Sequence, residues 1–140
     1  MTSAQIITII IICVPLLNIR LATSDIRLLY ANDFTYIDDI VTGIFNIISS
    51  EGKPTKENYK IYNIGNHESV ELGRFVKAIE DATGKKAIIE YKPMQSGDVF
   101  ATYADITEIQ KDYNFKPVTI IEEGIRKFVD WYRVYHTIKN

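Results

Sequence analysis

The segment DFTYIDDIVTGI, Asp33 to Ile44, decides how the rest of the chain reads, because regular patterning begins there. Ile37, Ile40, Val41, Ile44 and Ile48 recur at intervals of three and four, which predicts a helix over about Asp38 to Ser49. Asp38 and Asp39 fall in its first turn, where negative charge suits the helix dipole. Adjacent helical residues point in different directions, so the two carboxylates read as helix-start electrostatics rather than an acid/base pair.

Downstream, Ser50 to Asn58 is polar, holds Gly52 and Pro54, and reads as a loop. Tyr59 to Ile64 reads as a short strand ending at Gly65 and Asn66. Ser69 is expected to cap a second helix, with Leu72, Phe75, Val76 and Ile79 on its buried face and Gly84 beyond its end. Ala87 to Tyr91 is the next strand, followed by a loop through Pro93, Ser96 and Gly97. Asp105 opens a short helix, with Glu108 three residues on, and Asn114 and Pro117 end it. Thr119 and Glu122 have capping-box spacing at the start of a long helix with the stripe Ile121, Ile125, Phe128, Val129 and Tyr132. The order helix, strand, helix, strand, helix, helix is a small α/β unit, with too few strands for a full doubly wound sheet.

Upstream, Ile6 to Leu17 (IITIIIICVPLL) is apolar apart from Thr8. A membrane-spanning helix needs about 20 such residues, so the run is too short. No Lys or Arg precedes it to form a signal-peptide flank. Its β-branched residues and Pro15 fit a buried strand or a non-native leader, with a signal or anchor as the alternative. The single cysteine, Cys13, lies inside this run and reads as an inert buried or lipid-facing thiol.

The 140 residues suit one domain. A net charge of −2, a pI near 5.7 and interspersed charges argue against a nucleic-acid partner. One cysteine and two histidines (His67 and His136) exclude an internal disulfide and a Cys/His metal cluster. Glycines stand at 43, 52, 65, 73, 84, 97 and 124, so no two have the spacing with which a dinucleotide fingerprint approaches a pyrophosphate. A phosphate loop ending in Gly-Lys-Ser/Thr is also absent. Tyr135 and Lys139 are four apart, a spacing that can form an acid/base pair, but at the extreme C-terminus they read as coincidence. Neither histidine has a recognisable nucleophile context. The residues alone thus assign no catalytic, cofactor-binding or metal-ligating position.

Four segments carry a resemblance: DFTYIDDIVTGI (Asp33 to Ile44), YNIGN (Tyr62 to Asn66), MQSGDVFATYAD (Met94 to Asp105) and NFKPVTIIEEGIRKFVDWY (Asn114 to Tyr132). In that order and spacing they resemble the C-terminal part of extended short-chain dehydrogenase/reductases of the NAD-dependent epimerase/dehydratase family, in look UDP-glucuronate 4-epimerases. Each segment alone is weak; the four in order are specific. The resemblance implies an incomplete Rossmann-type epimerase: an unmatched apolar leader over 1–32, and a nucleotide-sugar-binding part over 33–140 without the dinucleotide-binding half. It implies that NAD, the Tyr-x-x-x-Lys pair and a Ser or Thr reside on an N-terminal Rossmann half, where hydride leaves sugar C4 and returns to the opposite face. This chain would then hold no cofactor and meet a UDP-sugar only when complemented by that half.

By the same resemblance, Phe34, Gln95 and Asp98 are candidate nucleotide-sugar contacts and Val70 stands near the uracil. Each has a plainer reading: Phe34 as core, Asp98 as a turn cap, Val70 as helix packing. Tyr103, Ala104 and Asp105 read as structural, the Asp as a helix cap. The family usually has Arg directly before the Asp-Phe-Thr segment, where a guanidinium can clamp a diphosphate, whereas here the residue is Asn32. The expectation is a cytoplasmic epimerase fragment inactive alone. The rivals are a non-catalytic remnant and a small membrane-attached protein held through Ile6 to Leu17.

Overall fold

A computed structural model describes residues 20–24, 31–50, 59–92, 99 and 101–137. Ile6 to Leu17, the polar loop after Ser50, the loop through Pro93, Ser96 and Gly97, and Lys139 lie outside the described residues. Strand β1 (Arg20–Ser24) pairs in parallel with β4 (Ile88–Lys92), Arg20 opposite Ile88 and Ser24 opposite Lys92. Strand β2 (Ala31–Asp33) pairs antiparallel with β3 (Ser69–Glu71), Asn32 opposite Val70. Ala31 also bridges Ala101 in parallel. The helices are α1 (Ile37–Ser49), α2 (Leu72–Thr83), α3 (Thr107–Tyr113) and α4 (Ile121–Tyr135). Both β1 and β2 start upstream of Asp33, where the sequence pattern gave no element.

Helices α2 and α4 pack because each carries one apolar stripe. Phe75, Val76 and Ile79 from α2 meet Ile121 from α4 and Val70 from β3 in a buried cluster, with Phe34, Leu72 and Ile125 packed against it. Polar contacts fix the register. Arg74 grips Glu122 through two bonds, Nε to Oε1 at 2.7 Å and Nη2 to Oε2 at 3.0 Å. That guanidinium holds the Glu122 carboxyl below its ordinary range. Arg133 donates to the carbonyls of Ala82 and Thr83, both at 3.3 Å, where the C-terminal turn of α2 has no intrahelical donors left. Gly84 closes α2 at φ 73°, donating to the Glu80 carbonyl, as the glycine beyond Thr83 predicts.

A second core lies under α3, where Ile106, Ile109 and Phe115 are buried beside Tyr62, Ile64 and Ala104. Helix α1 reaches it through Gly43, where an added Cβ would stand 3.0 Å from the Phe115 ring. Lys60 donates to Asp112 at 2.6 Å and Glu108 at 2.7 Å, and Tyr62 donates to Asp112 at 2.8 Å. Burial, then the bond to Asp112, pushes the Tyr62 phenol up to about 12. Asn114 ends α3 at φ 52°, as expected of Asn at that position.

Several local expectations are corrected. Ser69 does not cap α2: it sits in β3 and donates its hydroxyl to the Thr102 carbonyl at 2.6 Å. Thr119 and Glu122 form no capping box, because Glu122 is held by Arg74 and the Thr119 amide donates to Asp39 at 3.0 Å. Tyr59 to Ile64 joins no ladder among the described residues. The helix expected from the spacing at Ile37 to Ile48 is present, and its apolar residues Ile37, Val41, Ile44 and Ile48 are exposed, while Asp39 and Gly43 are buried. Local pattern could not foresee this, since the Asp39 carboxylate satisfies the Val118 and Thr119 amides and so fixes the roll of the helix. Asp105 does not cap α3, whose N-cap is Ile106; it makes a turn just before the helix, accepting the Thr107 amide at 3.0 Å and the Thr107 hydroxyl at 2.6 Å.

Candidate functional site

Asp33, at the end of β2, is the node of the site. Its carboxylate accepts the amides of Asn66 at 2.7 Å, His67 at 3.1 Å and Ala104 at 3.0 Å, and the Thr35 hydroxyl at 3.1 Å. One side chain thereby ties the DFTYIDD, YNIGN and TYAD segments together. Gly65 is required at this junction: a Cβ there would lie 2.3 Å from the Ala104 Cβ and 3.0 Å from Asp33 Oδ2. Nothing in the sequence marks Asp33 as a node, since the amides it accepts stand about 30 to 70 residues away.

His67 adopts φ 59°, in the left-handed region that non-glycine residues seldom occupy. Its amide bond to Asp33 and its ring hold it there. Nδ1 lies 3.1 Å from the Ala104 carbonyl, which can only accept, so Nδ1 carries the proton. Nε2 lies within hydrogen-bond distance of the Tyr103 hydroxyl, at 3.0 Å. Thr102 joins Asn32, accepting the Asp33 amide at 3.0 Å and donating to Asn32 Oδ1 at 3.2 Å.

From this node a groove of about 910 Å³ runs between α1 and α4. Phe34, Ile40, Ile125, Phe128 and Tyr132 line it, with Asn63, Thr102 and Tyr103 as polar wall. Phe34 is half-buried and stacks on Phe75, ring centroids 4.4 Å apart and planes 18° apart, so it is core and groove wall together. Val70 is 2% exposed and lies in the core opposite Asn32. Gln95 and Asp98 lie outside the described residues, and Ala101, a few residues on, stands beside Ala31. Tyr135 is exposed and stacks on Trp131. Among the described residues, no group of three His, Cys, Asp or Glu could hold a metal. Among them, too, no helix is long and apolar enough to cross a membrane.

The chain is 44% identical over 117 residues to Protein CapI of Staphylococcus aureus, covering 74% of this chain and 35% of that protein. It is 38% identical over 118 residues to UDP-glucuronate 4-epimerase 6 of Arabidopsis thaliana, covering 78% of this chain and 26% of the relative. Of solved structures, MoeE5 in complex with UDP-glucuronic acid and NAD superposes with a TM-score of 0.72 at 23% identity, covering 83% of this chain and 37% of that one. A UDP-glucuronic acid 4-epimerase from Bacillus cereus superposes with a TM-score of 0.70 at 22% identity, covering 83% and 36%. No family model matches the sequence.

These likenesses make the chain a C-terminal part of the extended short-chain dehydrogenase/reductase class, a small α/β piece of a Rossmann-type epimerase. Within that class it is related to the UDP-glucuronate 4-epimerases, and it spans about 35% of the length of the S. aureus relative.

Gly43, Gly65, Gly84 and Gly124 do not fit a dinucleotide pyrophosphate. Gly43 faces Phe115, Gly65 faces Ala104, and Gly124 faces Tyr36, whose ring carbon would lie 3.2 Å from an added Cβ. Gly84 is a helix cap. Backbone approach to a phosphate needs open space over a glycine in a strand-to-helix turn, and three of these four are closed by the protein's own side chains.

Proposed function

We propose that this chain supplies the UDP-sugar side of the cleft in an NAD-dependent UDP-glucuronate 4-epimerase, working in the cytoplasm with a Rossmann half that holds the dinucleotide. The observation that carries the reading is the junction at Asp33, which gathers three of the four family segments at one end of an apolar groove.

In this reading Phe34 offers its open face to the nucleotide, and its stacking on Phe75 keeps the ring from turning away. Gln95 and Asp98 stand a few residues before Ala101, which bridges Ala31 beside Asn32, and they are assigned to the ribose and phosphates. Val70 supports the uracil end from the strand opposite Asn32. Asn32 cannot offer the bidentate charge of an arginine, so diphosphate binding rests on neutral hydrogen bonds. The chain's work is to bind, orient and exclude water, and the reacting groups come from the other half.

Co-expression with the N-terminal part of the S. aureus relative, cut before the segment similar to Asp33, tests this. The two pieces are expected to co-purify and to convert UDP-glucuronate to its 4-epimer. Failure to associate, together with zero turnover, would defeat the proposal.

A further inference from the structure

Helices α2 and α4 run side by side in the same direction. Arg74 and Glu122 tie their first turns, and Arg133 ties their last turns through the Ala82 and Thr83 carbonyls. At that second end the chain enters β4: Ala87 packs against the cluster of Phe75, Val76 and Ile79, and Ile88 pairs with Arg20. Strand β1 therefore begins beside the C-terminal turns of both helices. The groove between α1 and α4 reaches the same place, because Tyr132, in the last turn of α4, lines it.

That groove is apolar along α4 and almost without charge. Ile40 from α1 faces Ile125, Phe128 and Tyr132 from α4, all of them half-buried. Among the described residues that line it, Asp33 is the only charged one, and three amides and a hydroxyl already take up its carboxylate. A charged occupant would lose its water here and find no partner. The walls thus call for an uncharged, apolar occupant, as an open apolar surface of this size usually does.

We infer that the chain's own segment Ile6 to Leu17 fills the apolar length of this groove. Residues 1–19 lie outside the described residues and carry no charged side chain, and Ile6 to Leu17 is apolar apart from Thr8. Leu17 stands three positions before Arg20, a reach of about 10 Å, so the segment is delivered to the Tyr132 end of the groove. Its 12 residues cover about 18 Å even when helical, enough for the roughly 10 Å between Ile125 and Tyr132 along α4. The contact also takes out of water a β-branched run that would promote aggregation if exposed. It is independent of the reading under Proposed function, since the polar end of the groove at Asn63, Thr102 and Tyr103 is left open.

Cys13, the single cysteine, lies inside the segment and is a built-in probe in the full chain. Its reaction with a water-soluble thiol reagent is expected to be at least tenfold slower in the native chain than in urea. Phe128→Glu, which puts a charge in the groove wall, should restore most of the lost rate while circular dichroism stays unchanged. With oxidised glutathione, at least one of Ile125→Cys and Phe128→Cys should form a disulfide to Cys13 within one chain. Lys77→Cys, on the exposed side of α2, should form none. Reaction of native Cys13 at the urea rate overturns the inference. Slow reaction with no disulfide to either groove position also overturns it, by placing the segment elsewhere. A disulfide formed only between two chains does the same, by assigning the groove to a second copy. If Phe128→Glu unfolds the chain, the Ile125→Cys and Phe128→Cys disulfides decide the matter.

Discussion

Phe115→Ala lowers the unfolding free energy by about 3–5 kcal/mol, the range for deleting a buried aromatic ring and leaving its cavity. The ring is fully buried, between Ile106 and Ile109 on one side and Gly43 of α1 on the other. Neither side can collapse easily. Ile109 is itself wholly enclosed, and α1 is pinned by the bonds from Asp39 to the Val118 and Thr119 amides. The loss therefore includes most of the cavity cost as well as the transfer cost. A urea titration followed by far-ultraviolet circular dichroism reads it as a large fall in midpoint, or as loss of a cooperative transition. A shift worth less than about 1 kcal/mol would mean that α1 is not held against this ring.

Asp33→Ala is the second large effect, about 2–4 kcal/mol, because three amides and a hydroxyl lose their acceptor at once. The Ala104 and Asn66 bonds are part-buried and carry most of the loss, while the His67 amide is exposed and can turn to water. His67 then has less to hold its left-handed backbone, so the pairing with Tyr103 should loosen too. Asp33→Asn keeps one acceptor oxygen and is expected to recover about half of the stability. Equal loss in the two variants would show that charge, rather than the number of acceptors, governs the junction.

What the sequence made legible were features decided within a few residues. Helix α2 with Gly84, Asn114 at the end of α3 and the stripe of α4 all follow from local spacing and lie where that spacing puts them. What it hid were decisions made at long range. Ser69 and Thr119 have cap chemistry, but β2 claims the first into a strand and Asp39 claims the amide of the second. Glu122 has capping-box spacing, yet a bidentate arginine from another helix is the stronger partner. The outward stripe of α1 is the sharpest case, because its periodicity correctly gave a helix while the buried side was set by one carboxylate and one glycine.

The site divides in the same way. The resemblance singled out Phe34, which stands in the groove wall and the core, but not Asp33, its neighbour and the node of the junction. Its signal would have been an acidic residue directly before a strand-to-helix turn, paired with a distant glycine whose Cβ position is already filled.

The measurement that bears most directly on the central claim is the NAD content of the purified chain, with UDP-glucuronate turnover followed on the same sample. The account predicts no dinucleotide released on denaturation and no 4-epimer formed, with both acquired only when the Rossmann half is bound. Stoichiometric NAD in the isolated chain, with unaided conversion of UDP-glucuronate, would contradict it.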